Sequence, residues 1–166
     1  SGAAVTLLEQ NEKLGKKLYI TGKGRCNVTN ACAAEEFISN VVTNPRFLYS
    51  AIKAFSPEDT VALLEKYGCK TKVERGRRVF PQSDKASDVT AALLKFLRED
   101  GVEIIYGTRC LGVKRDDGGF KVTTDKGTLF SRKVIICTGG VSYPSTGSTG
   151  EMFKVIEKLG HAVNPL

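Results

Sequence analysis

Short unbroken apolar runs alternate with longer stretches whose apolar residues recur every three or four positions. Ala4-Val5-Thr6-Leu7-Leu8, closed by Glu9, has the continuous apolar character of a strand buried in a parallel sheet. Lys133-Val134-Ile135-Ile136-Cys137, closed by Thr138-Gly139-Gly140, has it too. The helical spacing appears over Pro45–Phe55, with Phe47, Leu48, Ala51, Ile52 and Phe55 on one face. Ser56-Pro57-Glu58-Asp59 predicts a capped helix running to Gly68. Val89, Leu93, Leu94 and Leu97 predict another from a Ser87 cap to Asp100, and two short helices are expected at 34–42 and 150–159.

Extended pieces complete the pattern. Residues 70–80 hold two around Arg75-Gly76-Arg77, and Val102–Tyr106 reads as a short strand. Segments 108–115, 119–124 and 128–131 alternate and are separated by Asp116-Asp117-Gly118-Gly119 and Asp125-Lys126-Gly127, which predicts a three-stranded β-meander. Strands alternating with helices argue for an α/β fold, a parallel sheet with the meander inserted before the last strand. One domain over 1–166 is the expectation.

Residues 10–30 carry neither period. A loop of this length within a compact domain is uncommon and often functional. Gly15–Asn30 contains three glycines, four basic residues and two asparagines. A pyrophosphate is held by backbone N–H groups and cations together. Thr138–Gly150, rich in Gly, Ser and Thr, is a second such loop after a strand, leading into a helix. Both strands would end on one edge of the sheet, where open α/β folds bind ligands. Glu9, at the carboxyl end of the first strand, is placed to accept hydrogen bonds from ribose hydroxyls.

The net charge of +7 fits an anionic ligand, a nucleic-acid face or a solvated basic surface. Trp is absent, and the Tyr and Phe residues lie mostly in apolar helix faces rather than among the basic clusters, which argues against nucleic acid as a partner. No apolar run is long enough for a transmembrane helix, and no signal segment opens the sequence, so a cytoplasmic protein without a membrane partner is expected. The five cysteines show no C-x-x-C spacing, and His161 is the sole histidine, so no metal site is expected. Cys110 and Cys137 sit in apolar runs and should pack as small hydrophobes. Cys26, in a cationic setting, should have a lowered pKa. No catalytic acid, base or nucleophile can be assigned from the residues.

These segments resemble the BaiN-like NAD(P)/FAD-dependent oxidoreductases, also described as the aminoacetone oxidase family. The resemblance is carried by Leu8-Glu9-Gln10-Asn11, by Gly22-Lys23-Gly24-Arg25-Cys26-Asn27-Val28-Thr29-Asn30, by Arg78–Val89 and by Cys137–Gly150. It implies a Rossmann-like FAD-binding domain and FAD as cofactor, with NAD(P)H as an electron donor. Glu9 would hold the adenosine ribose, Gln10 would also bind the cofactor, and Lys16 and Lys17 would sit near the phosphates. Gly24, Arg25 and Asn27 would approach the pyrophosphate or flavin, and Cys110 the adenine through its backbone. Thr138, Gly139 and Gly140 would pass under the cofactor. The resemblance further implies a preceding strand with a G-x-G-x-x-G turn and helix, and a continuation beyond Leu166, so that this sequence corresponds to an internal segment with an unidentified small-molecule substrate. The alternative reading of the basic loops is a non-catalytic phosphate- or nucleic-acid-binding module. Self-association through the strand edge at 4–9 is a further expectation.

Overall fold

The computed structural model describes residues 2–164, which group into two compact units. One comprises the chain up to Lys16 together with Val102 onward; the other spans Lys17–Gly101.

In the first unit, β1 (Thr6–Leu8) pairs in parallel with β5 (Glu103–Ile105), Leu7 lying opposite Ile104. Backbone bonds extend this ladder, Glu103 N–H donating to Val5 O and Glu9 N–H to Ile105 O, both at 3.0 Å. The meander forms as expected from β6 (Cys110–Asp116), β7 (Gly119–Thr124) and β8 (Gly127–Ser131), all antiparallel. A bulge interrupts the register between Cys110 and Gly112. Val113 and Val122 on the inner face pack with Met152, Leu8, Phe120, Val155 and Leu159, the last two on or beside α5 (Phe153–Lys158). A parallel strand pair, helices and an antiparallel meander are the parts of a Rossmann-like α/β fold.

The second unit is built from a 3₁₀ segment at Leu18–Gly24, β2 (Thr29–Asn30), α1 (Ala34–Ser39) and α2 (Pro45–Ala54). It continues through α3 (Pro57–Lys66), β3 (Thr71–Glu74), β4 (Arg78–Pro81) and α4 (Ala86–Glu99). The strands form an antiparallel sheet in the order β2-β4-β3. Ser56 caps α3 as expected: its Oγ accepts from Asp59 N–H, and the Asp59 carboxylate accepts from Ser56 N–H, a closed capping box. Leu64, Tyr67, Cys69, Ala86, Val89 and Ala92 form the core, with Tyr67 and Phe96 rings 5.5 Å apart.

Several expectations are corrected. Residues 133–137 are not a strand: the segment has no regular structure, with Val134 and Ile136 packed against the apolar cluster and Ile135 87% exposed. Period-two burial survives there without a hydrogen-bonded neighbour among the described residues, so the pattern reads the packed face and not the ladder. Cys137 is accordingly exposed rather than packed. The cap of α4 is Lys85, and Ser87 lies in the first turn, where its Oγ bonds Asp88 Oδ1 at 3.2 Å. The loop at 10–30 contains the 3₁₀ segment and β2, which pairs Thr29 with Val79. The helix expected at 45–55 forms as α2, but its apolar residues do not make a buried face: none is fully buried and Phe47 is 79% exposed. No helix of the described residues is long and apolar enough to cross a membrane.

Candidate functional site

At the carboxyl end of β1 the chain leaves the sheet and the half-buried Glu9 carboxylate is held in one orientation. Its Oε1 accepts from Asn11 N–H at 2.8 Å and from Asn11 Nδ2 at 2.7 Å. Lys16 Nζ donates to Asn11 Oδ1 at 3.0 Å, so the acid, the amide and the ammonium form one chain of hydrogen bonds. Asn11 O in turn accepts from Gly107 N–H at 3.1 Å and Glu9 O from Thr108 N–H at 3.0 Å, which ties the end of β1 to the segment after β5. Glu9 Oε2 makes no hydrogen bond among the described residues.

The glycine-rich loop after residue 137 comes to this same place. Gln10 Nε2 donates to Gly147 O at 3.2 Å. Gly147 has φ +99°, and a Cβ there would strike Gln10 Nε2 and approach Asn11 Nδ2 at 3.6 Å. Gly139 is crowded likewise, a Cβ lying 2.8 Å from Ser148 Oγ. The positive φ at both positions, +99° at Gly147 and +77° at Gly139, favours glycine in this loop. Arg109, paired with Glu151, anchors the loop's far end. Thr138 and Gly139 are exposed and Gly140 half-buried, all without regular structure. Cys110 opens β6 opposite Thr124; its half-buried Sγ contacts Gly112 O at 3.7 Å, and burial pushes the thiol pKa up.

The other unit carries Lys17, Gly24, Arg25 and Asn27. Lys17 leads into the 3₁₀ segment, and Gly24 takes φ +88°. Arg25 is engaged within its own unit: Nη1 lies 2.9 Å from Glu74 Oε1 and 3.2 Å from Asp84 Oδ1, while the guanidinium sits 4.1 Å over the Phe80 ring. Lys72 closes the cluster, 2.6 Å from Asp84 and 3.6 Å from Glu74. Arg25 holds the Glu74 carboxyl below the usual range, and Lys72 does the same for Asp84. In the orientation its neighbours require, the Asn27 amide donates to Val79 O at 3.3 Å and Thr29 O at 3.2 Å. Cys26 overturns the expectation of a lowered pKa. It is 2% exposed, and burial raises the pKa against the opposing Thr21 contact. Surrounding cations do not act on a thiol that faces the core.

Glu9, Gln10, Lys16 and the loop containing Thr138, Gly139 and Gly140 therefore lie in one unit. The residue that sequence reasoning misses is Asn11, which joins Glu9 and Lys16; a Glu-x-Asn spacing at a strand end is its signal. No three His, Cys, Asp or Glu side chains gather as a metal-ligand set among the described residues. His161 is exposed at the end of α5.

The family model of the HI0933-like protein Rossmann domain matches residues 1–166. A 3-dehydro-bile acid delta(4,6)-reductase of Clostridium scindens is 33% identical over 164 residues, which is 99% of this chain and 39% of that protein. A ribosomal RNA dihydrouridine synthase of Escherichia coli is 29% identical over 165 residues, 99% of this chain and 40% of its own length. The chain thus spans about two fifths of the relatives it matches. The solved structure of BexE superposes with a TM-score of 0.51 at 16% identity, covering 93% of this chain and 29% of the other, a likeness of fold.

Proposed function

Because this chain belongs to the HI0933-like Rossmann domain family, we propose that it is the FAD-binding segment of a larger flavin-dependent oxidoreductase. The observation that carries the reading is Glu9: a carboxylate at the end of a parallel strand, oriented through one oxygen by Asn11 and open at the other. Such a group suits two vicinal hydroxyls of a ribose, which need a fixed acceptor. Lys16, bonded to Asn11, supplies positive charge beside it for a phosphate, and the Gln10–Gly147 contact brings bare backbone within reach of a flat ligand. The residues present therefore fit a dinucleotide's adenosine half. FAD, when bound, supplies the redox chemistry; the chain orients the cofactor and matches its charge.

Within the same reading, Thr138, Gly139 and Gly140 are backbone approach points for the cofactor. Arg25 and Asn27 serve by holding the Gly22–Asn27 turn, since their polar atoms are already bonded to neighbours. The reductase named among the relatives is in keeping with an unsaturated small molecule as the whole enzyme's substrate, and NAD(P)H is the electron donor within the same reading.

Titrating FAD against the protein while following flavin fluorescence tests the reading. Saturable quenching is expected, with affinity lowered roughly 10- to 100-fold in Glu9→Gln, the scale of a charged hydrogen bond. No bound flavin, either in this chain or in a longer version carrying the parent's flanking sequence, would overturn it.

A further inference from the structure

The register of the meander aligns side chains that sequence order keeps apart. Lys114 of β6 lies opposite Lys121 of β7, and Lys121 lies opposite Phe130 of β8. Partners directly across strands share a face. The inner face carries Val113 and Val122, both buried, so the Lys114-Lys121-Phe130 row points to solvent. All three are exposed, Phe130 by 70%, and the adjoining row adds the exposed Thr123 and Thr128.

This arrangement is unfavourable for the isolated fold. Like charges directly opposite destabilise a sheet, and an exposed phenylalanine forgoes the gain of burial. Neither lysine forms an ion pair among the described residues. Asp116, the acid on the same face, turns into the hairpin, where Oδ1 accepts from Asp117 N–H at 2.9 Å. Other cations of the meander are engaged: Arg115 lies 5.9 Å from the Phe120 ring and Lys126 donates to Tyr106 O at 3.2 Å. Residues 109–133 hold seven Lys or Arg against three Asp, so the whole element is positive.

We propose that this row is a docking surface for single-stranded nucleic acid, with phosphates on Lys114 and Lys121 and a base stacked on Phe130. Cations beside an exposed aromatic ring on a sheet are the chemistry that holds unpaired nucleotides. Neighbouring strands lie about 4.8 Å apart, so the phosphate and base of one nucleotide reach both kinds of group. Lys114, Lys121 and Phe130 stand apart in the sequence; pairing of the strands brings them into one row. The proposal goes beyond the flavin reading and does not depend on it.

Fluorescence anisotropy of a short labelled oligouridine, and of the matching oligodeoxyuridine, tests it across a salt series. Lys114→Gln with Lys121→Gln should reduce the log–log salt slope by about 0.7 per lysine. Phe130→Ala should weaken binding between about 5- and 150-fold and leave the slope in place. Whichever oligomer binds more tightly identifies the sugar preferred. The double lysine variant should melt no lower than the parent, since it relieves a like-charge pair, so lost binding is not lost folding. Unchanged affinity in these variants overturns the proposal. An equal fall in slope from the exposed Lys154→Gln, or equal binding of duplex or of polyglutamate, does the same. FAD titration of the same variants should be unaltered, which keeps this outcome separate from that of the cofactor reading.

Discussion

Asn11 donates twice to one oxygen of Glu9, from its backbone N–H at 2.8 Å and from Nδ2 at 2.7 Å, while accepting from Lys16 through Oδ1. The acid is therefore oriented by a neutral neighbour two residues on, and its second oxygen makes no hydrogen bond among the described residues. Asn11→Ala keeps the backbone N–H bond but removes the Nδ2 donor and the link to Lys16, so Glu9 is expected to be held less firmly and FAD affinity to fall about tenfold, near 1.5 kcal/mol. Calorimetric titration of the variant beside Glu9→Gln checks this; an affinity equal to the parent's would remove Asn11 from the site.

Gly22 and Gly76 separate two causes of glycine requirement. Both have positive φ, +55° and +75°, but a Cβ at Gly22 would lie 2.8 Å from Asn27 N and from Phe80 Cε1, whereas at Gly76 nothing lies within 4 Å. Gly76→Ala should cost about 1 kcal/mol from backbone strain alone. Gly22→Ala should cost about 2–4 kcal/mol, because a buried ring and a backbone atom must also move. Urea unfolding of the two variants gives the difference, and equal losses would show that crowding at Gly22 is relieved without cost.

The charge cluster of Arg25, Lys72, Glu74 and Asp84 sets an acid limit on the second unit. Glu74 is lowered chiefly by its hydrogen bond to Arg25, and Asp84 by that to Lys72. A depressed folded-state pKa stabilises fully above the unfolded value, near pH 4, and that stability is lost as pH falls through the folded value. Stability should thus decline from about pH 5 downward. Glu74→Gln with Asp84→Asn should flatten that decline while lowering stability at pH 7. Melting temperatures measured from pH 7 to pH 2.5 decide it, and an unaltered acid limb in the variant would place the cause elsewhere.

Cys26 and Cys137 should differ sharply toward alkylating reagents. Cys26 is buried with its thiol pKa raised by desolvation, whereas Cys137 is exposed. At pH 7.5 the folded protein should be modified at Cys137 first, and at Cys26 only on unfolding, because reaction requires an accessible thiolate. Iodoacetamide labelling followed by peptide mass spectrometry reads the order; early modification of Cys26 would contradict its burial.

What could be read from the residues alone is what local chemistry dictates. The capping box at Ser56 and Asp59 requires groups three positions apart, and the meander turns require Asp and Gly at fixed positions. Glu9 at the end of an apolar run was legible in the same way. Tertiary structure decided where each charged or apolar group faces, because that depends on partners distant in sequence. Arg25 met Glu74 and Asp84 from 49 and 59 residues away, so a cation in a glycine loop became a brace for the loop itself. Residues 133–137 kept the apolar pattern of a strand but found no ladder, since a hydrogen-bonded neighbour is not encoded in the segment. Lys114, Lys121 and Phe130 became a single row only through strand register, which cross-strand pairing determines and a linear reading of charge cannot.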